Sequence, residues 1–95
     1  MTSTLHLRIS GRVQGVGYRD ALCREAQLNG IDGWVRNRRD GTVEAVVQGS
    51  PQALEKVLAW ARRGPPAARV SDVSALAAQG EFDRPYSGFG FLPTA

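Results

Sequence analysis

A change of period near the start of the chain constrains its fold more than any other feature. Leu5, Leu7, Ile9 and Val13 occupy odd positions, with His6, Arg8, Ser10 and Arg12 between them. Period two over that length predicts a half-buried strand. From Tyr18 to Leu28 the apolar residues, Leu22 and Ala26 among them, fall instead at helical spacing. The switch occurs within Gly11-Arg12-Val13-Gln14-Gly15-Val16-Gly17-Tyr18-Arg19. That stretch predicts a glycine-punctuated turn from strand to helix. Glycines adopt unusual φ/ψ and let backbone N–H groups approach an anion. The helix start behind them adds unpaired N–H groups and a partial positive charge. Arg19 adds a permanent charge and a planar fork of donors suited to phosphate or carboxylate. A tight connection with a surface arginine is the alternative reading of the turn alone.

The rest of the chain continues in short elements. Asn29-Gly30 ends the first helix, since either residue tolerates a left-handed conformation. Gly33 to Arg38 predicts a second strand and Thr42 to Gly49 a third, with Asp40-Gly41 between them as a hairpin signal. Ser50-Pro51 predicts an N-cap and first helical position. Leu54, Val57, Leu58 and Ala61 then form one apolar stripe, and Gly64-Pro65-Pro66 stops that helix. Arg69 to Ala77 predicts a fourth strand. Gln79 to Ser87 is polar and turn-rich, and Phe89 to Leu92 predicts a short last strand, weakened by Gly90. The order β-α-β-β-α-β is the split βαβ arrangement of a ferredoxin-like α+β sandwich: an antiparallel sheet, two helices on one face, and a short fifth strand at the C-terminus. With 95 residues, residues 1–95 are expected to form a single domain around one core.

Composition excludes several classes. The chain has one histidine and one cysteine, so a zinc site of ordinary spacing is not available. His6 reads as a surface or strand-end residue, and Cys23 as a buried structural cysteine rather than a nucleophile. A lone cysteine agrees with a reducing compartment. No apolar run reaches membrane length, and Met1-Thr2-Ser3-Thr4 lacks the features of a signal peptide, so a cytoplasmic protein is expected. The carboxylates, Glu44 included, read as solvated surface, with Asp40 set apart as the hairpin residue. Arg36, Arg38 and Arg39 read as solvated strand and turn charges. The net charge of +3 draws anions of any kind and does not discriminate nucleic acid from a small substrate.

The glycine turn is not a nucleotide loop. Gly17-Tyr18-Arg19 replaces the Gly-Lys-Ser/Thr of a P-loop, and position 20 is Asp rather than the last glycine of G-x-G-x-x-G. A second segment adds a partner. Asn37, near the end of the second strand, is a turn former in the ordinary case. In a split βαβ sheet it can also lie beside the glycine turn and offer both a donor and an acceptor. An arginine fork, a nest of N–H groups and a neutral amide together suit a phosphoryl group and a water.

These two segments resemble those of the acylphosphatase family. Gly11 to Arg19 matches the family's G-x-V-Q-G-V-x-[FY]-R turn, and Gly33 to Glu44 matches its G-W-V-x-N-x-x-D-G-x-V-E segment. Length and element order also agree, so the resemblance spans nearly the whole chain. It implies an acylphosphatase-like domain that hydrolyses acylphosphates to a carboxylate and inorganic phosphate. It implies Arg19 as the phosphate-binding arginine and Asn37 as the water-positioning residue. Backbone N–H groups of Gln14, Gly15, Val16, Gly17, Tyr18 and Arg19 would wrap the phosphoryl oxygens. No metal or cofactor is expected. The expected partners are the acylphosphate substrate and phosphate, with no nucleic acid or membrane, and the expected state is a monomer. Two rivals stand beside this reading. An RNA-binding module would stack bases on the open sheet face, where Trp34, Phe89 and Phe91 are the strand aromatics. An anion-binding regulatory domain would keep the loop without turnover.

Overall fold

A computed structural model describes residues 1–95. Strand β1 (Ser3–Arg12) is followed by helix α1 (Tyr18–Leu28), strands β2 (Asp32–Asn37) and β3 (Val43–Gly49), helix α2 (Pro51–Arg63), and strands β4 (Arg69–Ala77) and β5 (Phe89–Phe91). The predicted signals act where expected. Asn29 donates back to the Glu25 carbonyl at 2.9 Å, and Gly30 takes the left-handed φ of 66° that ends α1. The Asp40 carboxylate accepts from the Thr42 N–H at 3.0 Å and from its hydroxyl at 2.7 Å, which closes the hairpin. Ser50 Oγ accepts from the Ala53 N–H at 3.2 Å, and Pro51 sits in the first turn of α2.

The five strands form one sheet in the order β4-β1-β3-β2-β5. The pairs β1/β3, β1/β4 and β2/β3 are antiparallel. β5 lies parallel to β2, so the sheet is mixed rather than wholly antiparallel. The direction of β5 follows from the long return of residues 78–88. Leu7, Ile9, Val35, Val43, Ala45 and Val47 are buried in the core with Leu22, Ala26, Leu54 and Val57 of the two helices.

The segment Gln79–Ser87 is more than a turn. It holds a 3-10 turn at Gly80–Phe82 and packs on the sheet face opposite the helices. The Phe82 ring lies 4.4 Å from His6 and 5.9 Å from Trp34, centroid to centroid. Gln48 anchors the segment by donating to the Arg84 carbonyl at 2.8 Å and accepting from the Tyr86 N–H at 2.9 Å. Trp34 is therefore buried rather than displayed as a stacking platform, and Phe89 is buried in the core on the helix side. No helix is long and apolar enough to cross a membrane.

Two motif glycines permit close backbone packing. The β1/β4 register shifts between Ser10 and Gly11, a bulge that re-aims the end of β1 toward α1. A Cβ on Gly11, at φ 118°, would stand 2.2 Å from the Arg69 carbonyl oxygen. One on Gly33, at φ 133°, would stand 1.9 Å from that of Val46. Neither position accepts a side chain without movement of a strand.

Candidate active site

The bulge at Gly11 delivers residues 13–17 to the N-terminus of α1. Gly15 and Gly17 take φ of 74° and 80°, and the space where their Cβ atoms would lie is open. Their conformation, rather than crowding, requires glycine. None of the N–H groups from Gln14 to Arg19 donates a hydrogen bond within the chain. A row of unused donors at the start of a helix is an anion-attracting surface.

Tyr18 and Arg19 diverge from this point. Tyr18 is buried, and its hydroxyl donates to the Ala61 carbonyl at 2.8 Å. Burial pushes its pKa well above the ordinary tyrosine value, so it stays neutral and ties α1 to α2. Arg19 is partly exposed and pairs with no carboxylate. Its guanidinium carbon lies 5.6 Å from the centroid of the Phe91 ring, a stacking contact that leaves the donors free. Val16 packs its side chain on the core and offers only its backbone to the loop.

Asn37 ends β2, opposite Val43. Its side-chain oxygen is buried and has no hydrogen-bond partner in the chain. Buried polar atoms are almost always partnered, so this oxygen is suited to a donor that enters from solvent. A cavity of about 150 Å³ is lined by Val13, Gln14, Gly15, Gly17, Tyr18, Arg19, Asp20 and Asn37. Two segments about twenty residues apart are thus brought to one small polar cavity. Asp20 is exposed at its rim, as expected of a solvated carboxylate.

Four other expectations need correction. Glu44 is not solvated: it is 2% exposed. Its Oε2 pairs with His6 Nε2 at 2.6 Å, and its Oε1 accepts from Arg36 Nε at 2.7 Å and Arg38 Nη1 at 3.0 Å. Arg36 and Arg38 are therefore not simply solvated charges, and His6 is an internal partner of the sheet rather than a strand-end residue. The signal available in sequence was Val46, an apolar residue in the same alternation as Glu44, which marks that face as covered. Cys23 is buried, as expected.

The Glu44 cluster has a pH consequence. Burial alone would raise the pKa of Glu44, but the hydrogen bonds from His6, Arg36 and Arg38 outweigh it and bring the value down to about 2 from 4.5. A carboxyl whose folded pKa is depressed contributes stability above its unfolded pKa and loses it as pH falls through the folded value. Between about pH 5.5 and pH 2 the native chain should therefore lose about 3 kcal/mol more than Glu44→Gln. Urea unfolding of both proteins at the two pH values measures this, and equal losses would contradict the assignment.

Gln14 also does more than supply an N–H group. Its side-chain amide donates to the carbonyls of Arg38 at 2.7 Å and Thr42 at 2.9 Å. No sequence pattern announces that contact.

A family model described as Acylphosphatase matches residues 5–90. The chain is 56% identical over 86 residues to a protein named Acylphosphatase from Thiobacillus denitrificans, covering 90% of this chain and 92% of that one. Its fold is similar to the crystal structure of an acylphosphatase from Bacillus subtilis, with a TM-score of 0.88 and 32% identity over 97% of this chain and 99% of that chain. It is likewise similar to the structure of an acylphosphatase from Coxiella burnetii, with a TM-score of 0.87 and 33% identity over 96% and 93% of the two chains.

Proposed function

The chain belongs to the acylphosphatase family, whose reaction is the hydrolysis of acylphosphates, and we propose that it carries out this reaction in the cavity between the glycine loop and Asn37. The phosphoryl oxygens of the substrate sit among the N–H groups of Gln14 to Arg19, with the Arg19 guanidinium on the same oxygens. These donors are fixed before substrate arrives, so they stabilise the transition-state charge without reorganising. Phosphoryl transfer asks mainly for such positioning and charge stabilisation.

Asn37 holds the attacking water. The water's O–H donates to the carboxamide oxygen, which aims the water's lone pair at phosphorus. The new P–O bond forms to that water as the bond between phosphorus and the carboxylate oxygen breaks. The carboxylate leaves as a stable anion and needs no acid to protonate it. Asn37 is not basic at neutral pH, so the water's proton passes to a phosphoryl oxygen of the substrate. Positive charge comes from Arg19 and the loop, and this scheme calls for no metal.

The observation that carries this reading is the buried, unpartnered oxygen of Asn37 in one cavity with Arg19 and the loop. Benzoyl phosphate in the presence of EDTA tests it. Full turnover in chelator supports the scheme; turnover that requires an added divalent cation rejects it.

A further inference from the structure

Strand β1 is paired with β3 only as far as Ile9, opposite Val43. Beyond that point β1 pairs with β4 alone through its last residues, and the chain leaves the hairpin that carries Asn37. The glycine loop and the mouth of that hairpin are then rejoined by a single side chain. Both hydrogens of the Gln14 amide are used, one on the Arg38 carbonyl and one on the Thr42 carbonyl. No other hydrogen bond crosses from residues 13–17 to residues 37–43. The two acceptors face each other across the hairpin mouth, where the Arg38 N–H donates to the Thr42 carbonyl at 2.8 Å. From the opposite sheet face, buried Glu44 holds the Arg38 guanidinium. Arg38 adjoins Asn37 directly.

We infer that the Gln14 side chain is a positioning residue that sets the separation between the phosphate loop and Asn37. This inference rests on the roles proposed above for the loop and Asn37. The Gln14 side chain, as distinct from its backbone N–H in the cradle, acts through Asn37 and touches the hairpin rather than the reacting atoms. The loop N–H groups and Arg19 are on one side of the tie, and the water site is on the other. Cutting the tie leaves the phosphate cradle whole and loosens the aim of the water. The requirement is chemical as well as steric. Two carbonyl oxygens need a side chain with two donors at that length, which an amide supplies and a carboxylate or thioether does not.

A double-mutant cycle tests this, with Gln14→Met as a variant of similar length that has no donors and Gln14→Ala as a second. Turnover of benzoyl phosphate and the Kd of inorganic phosphate by calorimetry are measured in native and Asn37→Ala backgrounds. In the native background Gln14→Met should lower kcat about 10- to 100-fold, the scale of a misplacement near 1 Å, with the phosphate Kd changed less than about 3-fold. In the Asn37→Ala background the same substitution should lower kcat less than about 2-fold, because coupled residues are not additive. An equal loss in both backgrounds, or a loss of phosphate affinity as large as the loss of kcat, would overturn the role of Gln14 while leaving the catalytic reading intact. If Asn37→Ala by itself turns over at the native rate, the water assignment fails and the tie has nothing to position.

Discussion

Arg19→Ala lowers kcat/KM for a small acylphosphate by at least about 10³-fold, the scale set by removing an arginine from a phosphoryl transition state. It also weakens competitive inhibition by inorganic phosphate. Both effects follow from the same geometry. Arg19 lines the cavity with the loop, has no carboxylate partner to neutralise it, and is braced by the Phe91 ring. Stability should behave differently from activity. A cation in the first turn of a helix opposes the helix dipole, and the stacking contact is worth less than about 1 kcal/mol at an exposed site. Arg19→Ala should therefore unfold at nearly the native urea concentration. Arg19→Lys keeps the charge and loses the planar fork, so phosphate inhibition should weaken in it too. An Arg19→Ala protein that unfolds early and is inactive for that reason would show that the arginine serves the fold.

Asn37→Ala should lower kcat by about 10²- to 10³-fold, the range seen when one preorganised polar group is lost from an active site. The Kd for phosphate should change little, because in the proposed site the loop and Arg19 hold that group. The split between turnover and binding separates the role of Asn37 from that of Arg19, whose loss affects both. The Asn37 side-chain oxygen makes no hydrogen bond within the chain, so its removal should not cost stability. Asn37→Asp supplies a further contrast. A carboxylate there would accept a proton from water but would stand beside the phosphoryl dianion and repel it. Higher activity in Asn37→Asp than in Asn37→Ala would point to a base at this position and against a neutral orienting amide.

Much of this site was legible in the chain because local signals carried it. Gly15 and Gly17 mark a loop that needs positive φ, and Tyr18 begins the helix immediately behind it. Asp40-Gly41 marks the hairpin that carries Asn37. Asn37 beside the glycine turn followed from the element order, but other contacts with distant partners escaped the sequence. Glu44 alternates with core residues as any solvated strand residue would; Val46 was the one hint of a covered face, and residues 79–87 pack there. The direction of β5 cannot be read from three residues, because an alternation has no polarity. The Gln14 amide bonds to two backbone carbonyls that any residue would present. Its importance comes from where β1 parts from β3, which is a property of the sheet.

Hydrolysis of benzoyl phosphate in ¹⁸O-labelled water distinguishes attack at phosphorus from attack at the carbonyl carbon. In the proposed mechanism, water held by Asn37 against a phosphoryl group in the loop attacks phosphorus, and the P–O bond to the carboxylate breaks. A single turnover should therefore place the label in inorganic phosphate and leave benzoate unlabelled. Label recovered in benzoate would mean attack at the carbonyl carbon, and the loop, Arg19 and Asn37 would then not be acting as a phosphoryl-transfer site.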